Sequence, residues 1–258
     1  MKLSIENAHP RDQYITFDEG PHIYTVKGER GYTSVTTWNH EHFSKFDGDK
    51  IINGILKSPK MSDSNYKYYG MTRDDINRSW DLNRDTASQA GTKTHYNVEC
   101  FYNDIPVDDD SIEYKYFMRF VADHPHLKAH RTEWCVYYEE VKISGSIDMV
   151  FRDTNTGEFM IYDWKRSKGI EYESYGRKTA TTPCINHLPD SNFWHYSLQL
   201  NVYRKILQDK YDMRITKLAL VVLHPDNQSK TYEVVDVPMM DKEMEDLWEY
   251  RIHELTSK

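Results

Sequence analysis

The sequence predicts an α/β fold: a helix, a three-strand meander, a helix and a strand around a mixed sheet, preceded by a mainly helical N-terminal extension. Three observations carry this. Residues 132–139, 141–152 and 158–165 alternate apolar and polar side chains, the period of a half-buried strand. Asp153-Thr154-Asn155-Thr156-Gly157 separates the last two segments as a hairpin turn. The 258 residues suffice for one large domain or two small ones with a sizeable core.

Residues 13–37 read as a small β-rich start. Residues 13–17 and 22–26 alternate, with Glu19-Gly20-Pro21 as the turn. Ser34 caps a short helix through Trp38. Asp47 or Asp49 caps the next, where Ile51, Ile52, Ile55 and Leu56 recur at helical spacing. Residues 58–70 are polar, tyrosine-rich loop. Thr72 before Arg73-Asp74-Asp75 puts acids in a first helical turn. Helical texture then runs to about Tyr102 with an interruption near Gly91. Residues 103–110 are a solvated linker, and Asp110 or Ser111 caps a helix to about Asp123. After the meander, residues 167–191 lack a period, and so long a loop is functional or disordered. Asn192 opens a helix to about Lys210. Residues 215–223 are a buried strand, 231–237 another, and 241–255 a closing helix.

Composition narrows the function classes. The longest apolar run, from Leu218 to Leu223, is far short of the ~20 residues that span a bilayer, so no membrane association is expected. The N-terminus lacks an apolar signal segment. Cys100, Cys135 and Cys184 are odd in number and widely spaced, which disfavours a disulfide framework or a structural zinc site. Together these point to an intracellular protein, including one made by a virus in its host. The net charge of −8 provides no global field to attract nucleic acid.

Two strand-centre acids change that balance. Asp148 lies in Ile143-Ser144-Gly145-Ser146-Ile147-Asp148-Met149, and Asp163 in Ile161-Tyr162-Asp163-Trp164-Lys165. A bare charge among apolar neighbours is costly to bury without a partner. A turn centred between Asn155 and Thr156 sets 163 opposite 148; one residue later, it sets 165 opposite. Either way Asp148, Asp163 and Lys165 share a face. Opposed Cβ atoms lie ~5 Å apart, so the carboxylates repel unless a cation lies between them. Hard oxygen ligands suit Mg²⁺ or Mn²⁺. Lys165 beside the pair can orient or deprotonate a water. A structural Asp–Lys salt bridge on a solvated face is the competing reading.

Gly145-Ser146-Ile147-Asp148 followed by Asp163-Trp164-Lys165 resembles the PD-(D/E)xK nucleases, whose restriction-endonuclease-like core has the same element order. Gly91-Thr92-Lys93-Thr94-His95 and the Q-xxx-Y of Gln199 and Tyr203 resemble the RecB-like exonuclease branch. That branch includes RecB/AddB nuclease domains, mitochondrial genome maintenance exonucleases and small nucleases of phages and large DNA viruses. The resemblance spans about residues 88–224. It implies a nuclease core over residues 88–258, with residues 1–87 as a β-hairpin and helical region, a candidate cap over the active site.

The resemblance implies that His95, Asp148, Asp163 and the Trp164 carbonyl hold one or two Mg²⁺ or Mn²⁺ ions, and that Lys165 holds the attacking water and the scissile phosphate. Gln199 and Tyr203, one turn apart, would help position the metal cluster and the DNA backbone. Glu133 is either a further metal ligand or an exposed strand-end acid. Glu99 is either the partner that fixes the His95 tautomer or a solvated acid. Arg166, Lys168, Arg177 and Lys178, interleaved with Tyr172 and Tyr175, pair cations for phosphate with rings for stacking; a solvated charged loop is the alternative. His195 and Tyr196 extend the Gln199–Tyr203 face toward the substrate. Trp38, Phe43, Phe46 and the tyrosines of 66–69 are candidates for an arch that threads a strand. The cysteine spacing excludes the family's iron–sulfur variant, and no phosphate-binding G-xxxx-GK[ST] loop is present, so no nucleotide cofactor is expected.

The reading that follows is a metal-dependent exonuclease on DNA with free or single-stranded ends, in replication, recombination or repair. Two others stand beside it: an RNA endonuclease of the cap-snatching type, and a catalytically inactive nucleic-acid-binding module.

Overall fold

The computed structural model describes residues 1–257. The chain opens with a short helix, α1 (Lys2–Glu6), a hairpin of β1 (Ile15–Asp18) and β2 (Ile23–Val26), and a two-residue strand, β3 (Thr33–Ser34). Helices α2 (Val35–Glu41), α3 (Gly48–Leu56), α4 (Arg73–Tyr102) and α5 (Ile112–Asp123) follow. The meander is β4 (Leu127–Tyr138), β5 (Ile143–Asp153) and β6 (Phe159–Lys165). Helix α6 (Asn192–Lys210), strands β7 (Ile215–Val222) and β8 (Glu233–Val237) and helix α7 (Asp241–Thr256) complete the chain.

The expected α/β architecture is present. Antiparallel β4, β5 and β6 form the meander, β7 lies parallel to β6 after the α6 crossover, and β8 closes antiparallel to β7. With β3 parallel to β5, the sheet has six strands and mixed sense. One core cluster gathers Trp38, Ile147, Ile161, Leu200, Tyr203 and Trp248. A second gathers Phe117, Phe120, Phe151 and Trp164. Each large apolar side chain so enclosed contributes about 1.5–3 kcal/mol.

Local chemistry explains most helix starts. Ser34, Asp47 and Ser111 accept hydrogen bonds from the backbone N–H groups of Thr37, Lys50 and Tyr114, donors that a first helical turn leaves unpaired. At α4 the Thr72 hydroxyl accepts from Asp75 N, and the Asp75 carboxylate accepts from Thr72 N, a reciprocal cap.

Four expectations change. Helix α4 runs unbroken through Gly91; a glycine costs a helix about 1 kcal/mol relative to alanine but does not break it. Strand β4 begins at Leu127 rather than at residue 132, and the bulge between Ala129 and Arg131 is what breaks the alternation over its first residues. Helix α1 is not anticipated by the periodicity. The division at residue 87 also moves. Met1–Ser44 belongs with the chain from Thr94 onward as one unit, and Lys45–Lys93 forms the other. The reason is β3, which joins β5, and Arg131, whose side chain binds Asp12 at 2.6 Å. No helix among the described residues is long and apolar enough to cross a membrane.

Candidate active site

The β5–β6 hairpin is paired over only part of its length. Partners run from Arg152↔Phe159 to Met149↔Tyr162. One further step of that register sets Asp148 opposite Asp163, where pairing has stopped. On the same edge, β3 meets β5 only at Ile143 and Ser144, so residues 145–148 have no strand partner there. The Trp164 backbone fills the opening. Its N–H donates to Asp148 Oδ2 (3.0 Å), and its carbonyl lies 2.9 Å from His95 Nε2. A carbonyl only accepts, so Nε2 carries the imidazole proton.

The other edge of β5 supplies a third acid. Glu133 stands between the pairs Thr132↔Met149 and Trp134↔Ile147, level with Asp148. Its φ is +42°, which is uncommon outside glycine. Side-chain alternation slips by one at this level. Ile147 and Val150 join one core cluster while Met149 and Phe151 join the other. Acids from three neighbouring strands thus stand in one row: Glu133, Asp148 and Asp163.

Helix α4 brings His95 to the row. His95 Nδ1 lies 3.6 Å from Glu133 Oε1 and 3.5 Å from Asp148 Oδ2. One ligand atom from each of these three residues lies within 4.8 Å of the others. Asp163 falls outside the trio, and its Oδ2 meets Lys165 Nζ at 2.6 Å. Ser146, which lies in the first motif but has no role expected from the sequence, donates from Oγ to Glu133 Oε2 at 3.1 Å.

Burial and mutual repulsion set the protonation. Burial pushes the Asp148 and Asp163 carboxyls up. Asp148 raises Asp163 further, to about 6, against the pull of Lys165. Burial alone would lower His95, but Asp148 and Glu133 outweigh it and raise the imidazole to about 9. Lys165 follows the same pattern: burial opposes its charge, and Asp163 and Asp148 hold it above the usual lysine value. The lysine therefore stays an ammonium at neutral pH. In that form it can orient a water.

Gly145 explains the first motif. A Cβ there would lie 2.8 Å from Tyr203 Cε1 and 3.0 Å from Val35 Cγ2, so only glycine lets the tyrosine ring close over β5. Tyr203 is 3 % exposed, and burial pushes its hydroxyl well up while a hydrogen bond from Gln199 opposes this. Both members of the Q-xxx-Y pair are buried, and the charges of Asp148 and Asp163 reach the Tyr203 hydroxyl.

No family model and no curated protein matches this chain.

The candidate substrate residues separate into two groups. Lys168, Tyr172, Tyr175, Arg177 and Lys178 are exposed, with Tyr175 almost fully so. Tyr172 leans on Phe193, with ring centres 4.3 Å apart. Arg166 is not a free cation, because its Nε donates to Glu113 Oε1 at 2.7 Å. His195 is a packing residue: Nε2 meets Asp190 Oδ1 at 2.9 Å, and its ring lies 4.0 Å from that of Phe43. Tyr196 faces the site, with Lys165 Nζ 4.5 Å from its ring centre, a cation–π contact. Glu99 does not fix the His95 tautomer. Both ring nitrogens are engaged elsewhere, and burial and the Glu133 charge raise the Glu99 carboxyl.

Proposed function

We propose that this chain is a metal-dependent nuclease of the PD-(D/E)xK type, hydrolysing phosphodiester bonds of DNA at free or single-stranded ends. One observation carries the reading: Asp148 and Asp163 are level across a splayed hairpin, with Lys165 2.6 Å from one and His95 3.5 Å from the other.

The donor set fits a divalent cation. Three carboxylates face one ammonium and one imidazole, and Asp163 Oδ2, buried beside Lys165, has no donor in hydrogen-bonding orientation. Glu133, Asp148 and His95 would hold Mg²⁺ or Mn²⁺, with Asp163 and the Trp164 carbonyl beside them. When bound, such an ion supplies Lewis-acid charge at the phosphate and makes an attacking water more acidic. The chain's own residues do the rest. Lys165, kept charged by Asp163 and steered by the Tyr196 ring, stabilises negative charge on a phosphoryl oxygen. Trp164 N–H fixes the Asp148 carboxylate, and Ser146 fixes that of Glu133. Tyr203 packs on β5 at Gly145 and braces that strand.

The test is digestion of end-labelled linear DNA, closed circular DNA and RNA, side by side, with Mg²⁺ or Mn²⁺. Loss of linear DNA alone is expected. Cutting that survives Asp163→Ala or Lys165→Ala would sink the site; cutting of circles would replace exonuclease by endonuclease, and RNA alone would change the polymer.

A further inference from the structure

We propose that the unit formed by residues 45–93 holds a nucleobase of a single-stranded nucleic acid, stacked in a groove walled by Phe46 and Trp80. The proposal deepens the nuclease reading and rests on it for the class of ligand.

Helices α3 and α4 enclose a groove of about 620 Å³ inside this unit, a volume suited to a small-molecule-sized guest. Its walls are rings. Phe46 is 75 % exposed, although it is one of the largest apolar side chains in the unit. Its ring centre lies 6.0 Å from that of Trp80, with the planes inclined at 55°. A base between two rings needs about two stacking distances, so a small rotation of exposed Phe46 admits one. Trp80 supplies the fixed wall, since its indole N–H donates to Tyr68 Oη at 3.0 Å. Gly48 keeps the floor low: a Cβ there would lie 3.3 Å from the Phe46 ring.

The polar lining selects the guest. Asp49 is bound by Arg73 at 2.8 Å, and Asp81 by Arg84 at 3.0 Å. The groove therefore offers no unpaired carboxylate to a cation. Asn77 and Asn83 also line it, and an amide presents donor and acceptor together, the pattern of a base edge. The unit's charge agrees. Residues 45–93 contain nine Lys and Arg against seven Asp and no Glu, a net +2, which leaves −10 for the remainder of a chain whose total is −8. The polyanion is thus favoured by this unit and opposed by the bulk of the chain. Ring faces plus modest positive charge are what sequence-tolerant single-strand binding uses.

The test measures binding of the full chain, in chelator to prevent turnover, to fluorescein-labelled oligothymidylate and to an abasic oligonucleotide of the same length. The backbone charge is equal in the two probes, so the difference reports bases alone. Oligothymidylate is expected to bind about tenfold more tightly, and Phe46→Ala and Phe46→Leu are expected to remove that difference. Phe46 is exposed, and an unchanged melting temperature verifies that both variants fold. Equal affinity for the two probes in the wild type, or a difference that survives both substitutions, overturns the proposal; a groove built for a protein side chain produces that result. The nuclease reading is separated by adding Mn²⁺ to the same mixtures. A wild type that discriminates the probes but never cuts retains the stacking site and loses the nuclease. One that cuts without discriminating does the reverse.

Discussion

The β5–β6 hairpin contains two halves built from the same alternating sequence but serving different ends. Where residues 149–152 meet 159–162, every ladder position is filled, and Ile161 and Phe151 are fully buried. One step further the strands separate, and the positions that would continue the ladder are Asp148 and Asp163. The backbone groups freed by the separation are not wasted. Trp164 N–H and C=O bind Asp148 and His95, so loss of the ladder fixes the site's geometry. Acids can stand in a sheet interior where the sheet has opened, because the opening supplies their partners.

Substitutions in the two halves should have different consequences. The largest effect is expected in the open half. Asp163→Asn keeps the shape but removes the charge that holds Lys165, and hydrolysis of linear DNA should fall by about a thousandfold or more while the circular-dichroism spectrum is unchanged. Ile161→Ala, two residues away in the paired half, should do the opposite. It creates a cavity costing about 2–5 kcal/mol in a urea melt, with activity per folded molecule retained. Gly145→Ala tests the seam between them. The added methyl meets Tyr203 and Val35, and a loss of about 1–3 kcal/mol is expected; full stability would show that Tyr203 does not need the glycine.

Glu133→Gln addresses the third acid. If the row acts as one donor set, Mn²⁺ affinity measured by calorimetry should weaken by about tenfold with little change in melting temperature. The smallest effect concerns pH. The imidazole of His95 is raised to about 9 from the unfolded ~6.5, so the folded chain holds the proton more tightly. That stabilisation is complete below about pH 6.5 and is lost as pH rises through about 9. In chelator, the melting temperature of the wild type minus that of His95→Gln should therefore decline across this window. A flat difference would show that Asp148 and Glu133 do not charge the imidazole.

Much of this architecture is legible in the chain because its signals are local. The caps at Ser34, Asp47 and Ser111, the turn after Asp153 and the alternation of residues 158–165 depend on neighbours a few positions away. The spacing of Asp148, Asp163 and Lys165 puts them on one face in either of two registers, and the Met149↔Tyr162 pair selects the one that sets Asp163 level with Asp148. Arg166 shows the limit. It reads as a substrate cation beside Lys165, yet its partner is Glu113, 53 positions earlier on α5. His195 likewise reads as a substrate residue and is held by Asp190 and Phe43.

The order of elements and the face shared by Asp148, Asp163 and Lys165 follow from the sequence alone. Only the tertiary structure decided that the strands part at the level of the two acids, that Glu133 and His95 join the row, and that residues 1–44 belong to the core while 45–93 stand as their own unit. The physical reason is range. Periodicity records which face of its own element a side chain takes, whereas ladder ends, ion-pair partners and unit boundaries are settled by groups far away in sequence, competing for the same unsatisfied backbone and charge.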